Sequence, residues 1–172
     1  MKTIQTLTGG CLLLGSPHFE DDRGSFIKFF NHDSPLENYQ IAQVNFVQNK
    51  QIGILRGLHY QQGSHTESKF FRATQGKINL VFLDLRPDSS TYQQADSVIL
   101  DKSDVGLWIP TGFATGYEVL AINTDILYFS NQAYIPESEN GINWQDPMVH
   151  EHWHTPNPIV SDKDQNWPLW KP

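Results

Sequence analysis

The sequence contains very little cysteine and no long apolar run. Cys11 is the single cysteine among 172 residues, so the chain cannot form an internal disulfide. A lone thiol followed by Leu12, Leu13 and Leu14 is most simply a small core residue, and it suits a reducing compartment. This apolar run is too short for the core of a signal peptide or for a membrane span. We therefore expect a cytoplasmic protein with no membrane segment.

Basic residues are also scarce. Lys and Arg number 12 against 19 Asp and Glu, which gives a net charge of -7. Nucleic acids and anionic membranes bind basic faces, so neither is expected as a partner. A few cations lining one pocket, such as Arg23, Arg56 and Lys69, can still bind the diphosphate of a small ligand.

Helix signals are few, whereas short runs of β-branched and aromatic residues recur between Gly, Pro, Asn and Asp. The segment 40–48 alternates polar with apolar residues, as a half-buried strand does. Many short strands at roughly regular spacing predict an all-β protein, a cupin-type jelly-roll sandwich or barrel. Further strand-like segments are 9–14, 25–30, 69–74, 77–85, 96–100, 106–109, 116–120 and 125–129.

The length favours one domain spanning residues 1–172. A short helix is predicted near the N-terminus at Ser34–Glu37, with Ser34 as its cap and Pro35 in its first turn. From Asn143 onward the prolines interrupt regular structure, so we expect an irregular tail that wraps over the surface.

The stretch from Gly53 to Lys69 contains the residues that are the clearest candidates for catalysis. Its strand pattern places Arg56, His59 and Lys69 on or beside a sheet. A histidine that titrates near neutrality, with two cations nearby, can remove a proton and hold the negative charge that results. From these residues alone, a structural histidine flanked by surface cations is the simpler interpretation.

Other candidate residues also have an ordinary interpretation when they are taken alone. Tyr128, between two apolar neighbours, is most simply a structural tyrosine, and Asp164 a solvated tail residue. His150, His152 and His154 would share one face of a strand and would suit zinc, nickel or iron. Chance histidines in a Pro-flanked tail are the simpler explanation. No Gly-x-Gly-x-x-Gly motif, phosphate-binding loop or Gly-x-Ser-x-Gly elbow is present, so no cofactor is expected.

The most specific pattern is Arg-Gly-Leu-His-Tyr-Gln at 56–61 with Lys69 downstream. Together with other segments in one order along nearly the whole chain, it resembles the dTDP-4-dehydrorhamnose 3,5-epimerase (RmlC) family. The matching segments are 22–26, 43–45, 55–61, 69, 76–78, 84–92, 109–114, 128, 134, 136, 139, 144–146 and 161–164.

This resemblance implies a metal-free jelly roll that forms a homodimer, in which strands of one subunit complete the site of the other. It also implies an enzyme acting on a nucleotide-linked 4-keto-6-deoxy sugar, whose C3 and C5 hydrogens are acidified by the C4 ketone. By matching position, His59 would be the base, oriented by Asp164. Lys69 would stabilise the enolate, and Tyr128 would protonate from the opposite face.

The resemblance also assigns a set of residues to the nucleotide sugar. The expected substrate-binding residues are Arg23, Phe26, Lys28, Gln43, Asn45, Arg56, Thr115, Tyr134, Glu139 and Lys163. Two of them depart from the family pattern. Thr115 stands where the family has histidine, and Lys28 reverses the charge of a glutamate.

The sequence thus predicts an epimerase of a nucleotide-linked, dTDP-type 4-keto-6-deoxy hexose, as in dTDP-rhamnose biosynthesis. Because of Thr115 and Lys28, inversion of only one of C3 and C5, or another nucleotide sugar, is an open alternative. A jelly roll that binds the keto sugar without turnover is another, and the metal-dependent cupin with the tail histidines is a third.

Overall fold

The computed structural model describes residues 1–33 and 35–171, and strands dominate it. Within these residues there are fourteen strands and one short α-helix. Numbered in chain order, they are β1 Lys2–Thr6, β2 Leu12–Gly15, β3 His18–Asp21, β4 Gly24–Ile27, β5 Gln43–Asn49, β6 Ile54–Gln61, β7 Lys69–Gln75, β8 Ile78–Asp84, β9 Ala95–Leu100, β10 Val105–Ile109, β11 Phe113–Val119, β12 Thr124–Ser130, β13 Glu139–Gly141, β14 Ile159–Val160 and the helix α1 Asp162–Gln165.

Two sheets build the body of the molecule. The first has the order β1-β2-β10-β7-β12-β5, and the second has the order β13-β6-β11-β8-β9 with β14 added in parallel beside β6. All other neighbours in these two sheets are antiparallel. The expectation of an all-β jelly roll is confirmed, and the sheets form a sandwich that does not close into a barrel.

The main core lies between the two sheets. One buried apolar cluster contains residues from both sheets. The first sheet contributes Phe71 of β7 and Ile126 of β12, and the second contributes Leu80 of β8 and Val119 of β11. Strands bring alternate residues to one face, so each sheet contributes alternate side chains to this layer. The sandwich thereby aligns β5, β7 and β12 opposite β6 and β11.

The outer face of the second sheet is covered by the C-terminal tail. Every residue of β8 and β11 is buried, because a second cluster joins Val81 and Ala114 to Val149 and Trp153 of the tail. The tail does wrap over the surface as expected. It is not irregular throughout, because β14 pairs with β6 and α1 follows it.

Glu118 of β11 anchors this tail. Its side chain is fully buried, and it accepts hydrogen bonds from Asn79 Nδ2 at 2.9 Å, His154 N at 2.7 Å, His154 Nδ1 at 2.8 Å and Thr155 N at 2.9 Å. Burial opposes its charged form, but these donors outweigh burial and hold the pKa of Glu118 below its ordinary value. One carboxylate thus fixes the segment that leads to β14 and α1.

The strands β3 and β4 form a separate hairpin that pairs only with itself in the described part of the chain. All four residues of β3 are exposed. Phe19 is 58% exposed and Phe26 is 61% exposed. Their rings face each other across the hairpin, with ring centroids 6.4 Å apart. An isolated hairpin that presents two aromatic rings is short of packing partners.

The N-terminal part of the chain differs from the sequence prediction at the predicted helix and at β1. The predicted cap Ser34 lies outside the described residues, and 35–38 form turns rather than a helix. Strand β1 was not expected, because its residues Lys2–Thr6 are mostly polar and all exposed. It forms because pairing with β2 satisfies its backbone. No helix within 1–33 and 35–171 has the length and apolar character needed to cross a membrane.

We predict that Glu118→Gln weakens tail docking. The amide replaces one acceptor oxygen with a donor facing buried N–H groups, so the free energy of unfolding should fall by about 2 kcal/mol. Urea unfolding measures this loss. Glu151→Gln, at an exposed position of the same tail, is the matched control, and equal midpoints for the two variants would contradict the anchoring role.

Candidate active site

A cavity of about 330 Å³ opens between the two sheets. His59 and Arg56 enter it from β6, Thr115 from β11, Lys69 from the start of β7, and Tyr128 from β12. A smaller cavity of about 110 Å³ adjoins it and shares His59, Lys69 and Tyr128. The site is therefore a consequence of the sandwich, because its walls come from different sheets.

His59 and Asp164 form a close contact in the wall of the main cavity. His59 Nε2 lies 2.7 Å from Asp164 Oδ1, and Gly57 N donates to Asp164 Oδ2 at 3.2 Å. Ser161 caps α1 and accepts a hydrogen bond from Asp164 N at 3.2 Å. The short helix thus aims the carboxylate of Asp164 at β6. Asp164 is 4% exposed, which corrects its interpretation as a solvated tail residue.

The charge of Asp164 determines which nitrogen of the neutral His59 ring carries the hydrogen. Burial opposes ionisation of Asp164, but the hydrogen bond and charge of His59 and the backbone N–H of Gly57 hold its pKa below the ordinary value. An ionised carboxylate only accepts hydrogen bonds, so the neutral His59 ring donates from Nε2. Its Nδ1 is then left with a free lone pair beside the cavity.

Gly57 makes the approach between β6 and β11 possible. A Cβ at this position would lie 2.7 Å from the carbonyl oxygen of Thr115, and the backbone has a φ of 111°. Only glycine adopts this conformation without strain. The same residue donates its backbone N–H to Asp164, so position 57 contacts both β11 and the tail carboxylate.

Lys69 is held by two partners in the cavity wall. Its Nζ lies 3.0 Å from Glu67 Oε1 and 3.3 Å from Thr115 Oγ1. The Lys69 side chain is 11% exposed. Thr115 Oγ1 also donates to the carbonyl of His59 at 3.5 Å. An ammonium has three N–H donors, so a third is available to a bound molecule.

Tyr128 faces the cavity from the opposite sheet to His59. Its ring stacks on Phe71 with centroids 5.0 Å apart. Burial raises the pKa of Tyr128, the charges of Glu67 and Glu139 raise it further, and the charge of Arg56 opposes them. The phenol therefore keeps its proton well into the alkaline range, as a proton donor must.

A network of polar side chains surrounds the smaller cavity. Lys163 Nζ and the Tyr134 hydroxyl each lie 2.6 Å from Glu139 Oε2. Tyr134 N donates to Gln43 Oε1 at 2.8 Å, and Gln43 Nε2 donates to Asn45 Oδ1 at 2.9 Å. Arg56 Nε donates to Asn49 Oδ1 at 3.2 Å. These groups can bind the polar parts of a ligand that extends out of the main cavity.

Eleven of the fourteen predicted site residues line the two cavities. The other three, Arg23, Phe26 and Lys28, lie on or just after the β3–β4 hairpin and line neither cavity. The Arg23 side chain is 90% exposed and pairs with Asp21 at 2.6 Å. Within the described chain, these three are not brought together with the rest.

The structure adds residues that the sequence interpretation missed. Glu67 lines the smaller cavity. Trp167 places its ring 6.3 Å from that of His59 and 5.7 Å from Lys163 Nζ, between centroid and nitrogen. Glu67 stands two positions before Lys69, a spacing that brings side chains to one face of an extended segment. That spacing was the available signal, and no comparable signal pointed to Trp167.

The three tail histidines do not converge. His154 contacts Glu118, His152 Nδ1 lies 3.4 Å from Ser97 Oγ, and His150 Nδ1 lies 3.2 Å from the carbonyl of Pro147. The segment His150–His152 is a short 3-10 helix rather than a strand. Within 1–33 and 35–171, no group of three or more His, Cys, Asp or Glu side chains is placed to hold a metal ion.

Comparison with known proteins agrees with this geometry. The family profile described as dTDP-4-dehydrorhamnose 3,5-epimerase matches residues 5–172. The chain belongs to this epimerase family. The Escherichia coli K12 dTDP-4-dehydrorhamnose 3,5-epimerase is 36% identical over 171 residues, covering 96% of this chain and 92% of that protein.

Solved structures of the epimerase family share the fold closely. The Bacillus anthracis dTDP-4-dehydrorhamnose 3,5-epimerase, determined with TDP and PPi bound, superposes with a TM-score of 0.92 at 33% identity over 98% of this chain and 99% of that chain. The Legionella pneumophila dTDP-6-deoxy-D-glucose-3,5-epimerase, in complex with dTDP-4-keto-L-rhamnose, has a TM-score of 0.90 at 32% identity over 98% and 92%. Membership of the epimerase family makes this chain an isomerase.

We predict a pH signature for the Asp164 contact. The lowered pKa of Asp164 contributes stability that is present above the unfolded-state value of about 3.9 and is lost as pH falls through the folded-state value. Asp164→Asn should lower the free energy of unfolding by about 2 kcal/mol at neutral pH, and the difference from the natural protein should shrink in acid.

Urea unfolding at a series of pH values measures this difference. Asp22→Asn, in the exposed turn of the hairpin, is the control and should match the natural protein at every pH. A difference for Asp164→Asn that stays constant across the acidic range would contradict the charge-based account of this contact.

Proposed function

We propose that this epimerase inverts C3 and C5 of a dTDP-linked 4-keto-6-deoxy hexose through an enolate, as in dTDP-rhamnose biosynthesis. The observation that carries the proposal is one cavity bounded by the His59–Asp164 pair, Lys69 and Tyr128. The relatives that were solved with TDP or with dTDP-4-keto-L-rhamnose bound support the substrate class.

The chemistry assigns a role to each of these residues. The C4 ketone acidifies the neighbouring C–H bonds, and His59 Nδ1 accepts the proton while Asp164 holds the ring. The electron pair moves to the ketone oxygen, and the Lys69 ammonium stabilises the resulting enolate. Tyr128 then donates its proton to carbon from the opposite sheet and is reprotonated from solvent. A base and an acid on different sides of the ring invert the carbon centre.

The remaining polar groups are proposed to hold the nucleotide and the sugar. Arg56 and Lys163 are the cations of the main cavity besides Lys69, and cations bind diphosphate oxygens. Gln43, Asn45 and Tyr134 line the smaller cavity with Glu139. Lys163 exchanges its contact with Glu139 for the substrate in this scheme.

An epimerase acting at a single carbon is the alternative that one observation favours. Thr115 occupies the cavity wall beside Lys69, at the position where the resemblance predicts histidine. A threonine hydroxyl is smaller and always neutral, so the sugar has one fewer cationic contact and more room. If the second carbon depends on that contact for its alignment, inversion stops after the first.

Hydrogen exchange separates these possibilities. Incubation of dTDP-4-keto-6-deoxyglucose with the enzyme in D2O, followed by proton NMR, should show loss of both the C3 and the C5 hydrogens. Loss at one position would identify a single-carbon epimerase. His59→Ala should abolish exchange at both positions, because it removes the proposed proton acceptor.

Tyr128→Phe is the matched variant for this experiment. It keeps the base, so deuterium should still enter from the side of His59, but the configuration should not invert. A fully active His59→Ala variant would contradict the base assignment. Inversion at the natural rate by Tyr128→Phe would contradict the acid assignment.

We further propose a homodimer in which the β3–β4 hairpin of one subunit reaches the cavity of the other. Such a dimer would bring Arg23, Phe26 and Lys28 to a bound nucleotide that they do not reach within their own chain. The exposure of Phe26 supports it, as does edge strand β5, whose Val44 and Phe46 are 52% and 58% exposed. A cytoplasmic location and a single domain over 1–172 complete the proposal, consistent with the buried free thiol of Cys11.

Mixing two inactive variants tests the shared site. Arg23→Ala and His59→Ala should each be impaired, whereas random exchange of their subunits should restore about a quarter of the natural activity, because about half of the dimers are mixed and each has one intact site. Sedimentation of the natural protein should give the dimer mass. Mixing without any gain would show that Arg23 does not act across subunits.

A further inference from the structure

Glu67 is a largely buried carboxylate that lies beside the proposed reacting groups. Its side chain is 12% exposed, and its Oε1 lies 3.0 Å from Lys69 Nζ. Its Oε2 accepts a hydrogen bond from Ser130 Oγ at 2.7 Å. Ser130 Oγ in turn accepts a hydrogen bond from Gln132 N at 3.2 Å. Both oxygens of Glu67 are therefore fixed.

This arrangement fixes the direction of the Lys69 side chain. A lysine on a flexible four-carbon stem finds its position from the groups that bind its ammonium. Glu67 and Thr115 both bind the ammonium of Lys69. An ammonium that is already placed beside the future enolate oxygen loses less free energy to reorganisation when that charge develops.

Glu67 and Tyr128 line the same smaller cavity, so the carboxylate also acts on the phenol through space. Burial raises the pKa of Tyr128, and the charge of Glu67 is the next contribution in the same direction, ahead of that of Glu139. Arg56 opposes both. Of the remaining charged or titratable groups, Lys69, His59, Tyr60 and Tyr134 line the smaller cavity with Tyr128. Tyr117, Lys163 and Asp164 line the main cavity with it. Removing the anion at 67 leaves the cations less balanced and favours the phenolate.

We propose that Glu67 is a positioning residue of the reaction, which holds the Lys69 ammonium at the site of the enolate oxygen and keeps Tyr128 in its neutral, proton-donating form. This inference rests on the proposed roles of Lys69 and Tyr128. An ion pair with a purely structural role would account for the contact with Lys69, but it would leave the protonation of Tyr128 and the turnover of bound substrate unchanged.

Glu67→Gln tests the inference, because it keeps the size and one acceptor oxygen and removes the charge. Loss of a full oxyanion donor costs ~100-fold or more in kcat, so loss of its positioning partner should lower kcat on the order of tenfold, with little change in KM. The alkaline limb of the kcat profile should move to lower pH. Glu67→Asp, which keeps the charge, should recover part of kcat.

The ionisation of Tyr128 is measured separately by ultraviolet titration of tyrosinate. The difference between the natural protein and Tyr128→Phe isolates Tyr128, and the same pair in the Glu67→Gln background gives its midpoint without the anion. We expect a lower midpoint. Glu151→Gln, an exposed change far along the chain, should alter neither kcat nor the midpoint.

Ser130→Ala keeps the charge of Glu67 and removes its anchor, so it should lower kcat and leave the Tyr128 midpoint unchanged. It also serves if Glu67→Gln fails to fold. Natural kcat together with an unchanged midpoint in Glu67→Gln, or natural kcat in Ser130→Ala, would overturn the inference. Absence of hydrogen exchange by the natural enzyme would instead refute the proposed function, and the titration of Tyr128 would still decide whether Glu67 controls its proton.

Discussion

The contact between Asp164 and His59 is the interaction on which the rest of the site depends. It joins residues 105 positions apart in the chain, and it forms only if β14 has paired with β6 and α1 follows in place. The buried carboxylate of Glu118 secures the segment just before β14. Two buried acids thus connect the tail to the second sheet, one for its attachment and one for the chemistry.

The sandwich adds a second constraint, because each of its sheets carries different residues of the site. His59 and Thr115 belong to the second sheet, whereas Lys69 and Tyr128 belong to the first. A reacting ring held between two sheets meets different groups on its two sides. A single sheet would place all of its side chains on one side of the ring, so proton removal and return from opposite directions require the two layers.

The sequence allowed the fold class and most of the cavity lining to be predicted, for identifiable reasons. Alternation in β5 and the strand pattern around His59 are local signals, and the motif at 56–61 is specific. Local signals did not reveal the burial of Asp164, because that depends on packing between elements distant in sequence. The resemblance to the epimerase family predicted that Asp164 orients His59, but it did not indicate a role for Glu67. It also placed Arg23 at the site, although the described chain holds this residue on a separate hairpin.

The balance of charge in the cavities affects how a substrate arrives. Three cations line them, Arg56, Lys69 and Lys163, and so do three acids, Glu67, Glu139 and Asp164. With His59 neutral, these charges cancel within one subunit, in a protein whose net charge is -7. A nucleotide diphosphate is therefore repelled at long range and attracted only at short range, once its oxygens displace the acids from their cations. Dissolved salt screens the repulsion more than the contacts within the cavity, so encounter is expected to be faster at moderate ionic strength than in dilute buffer.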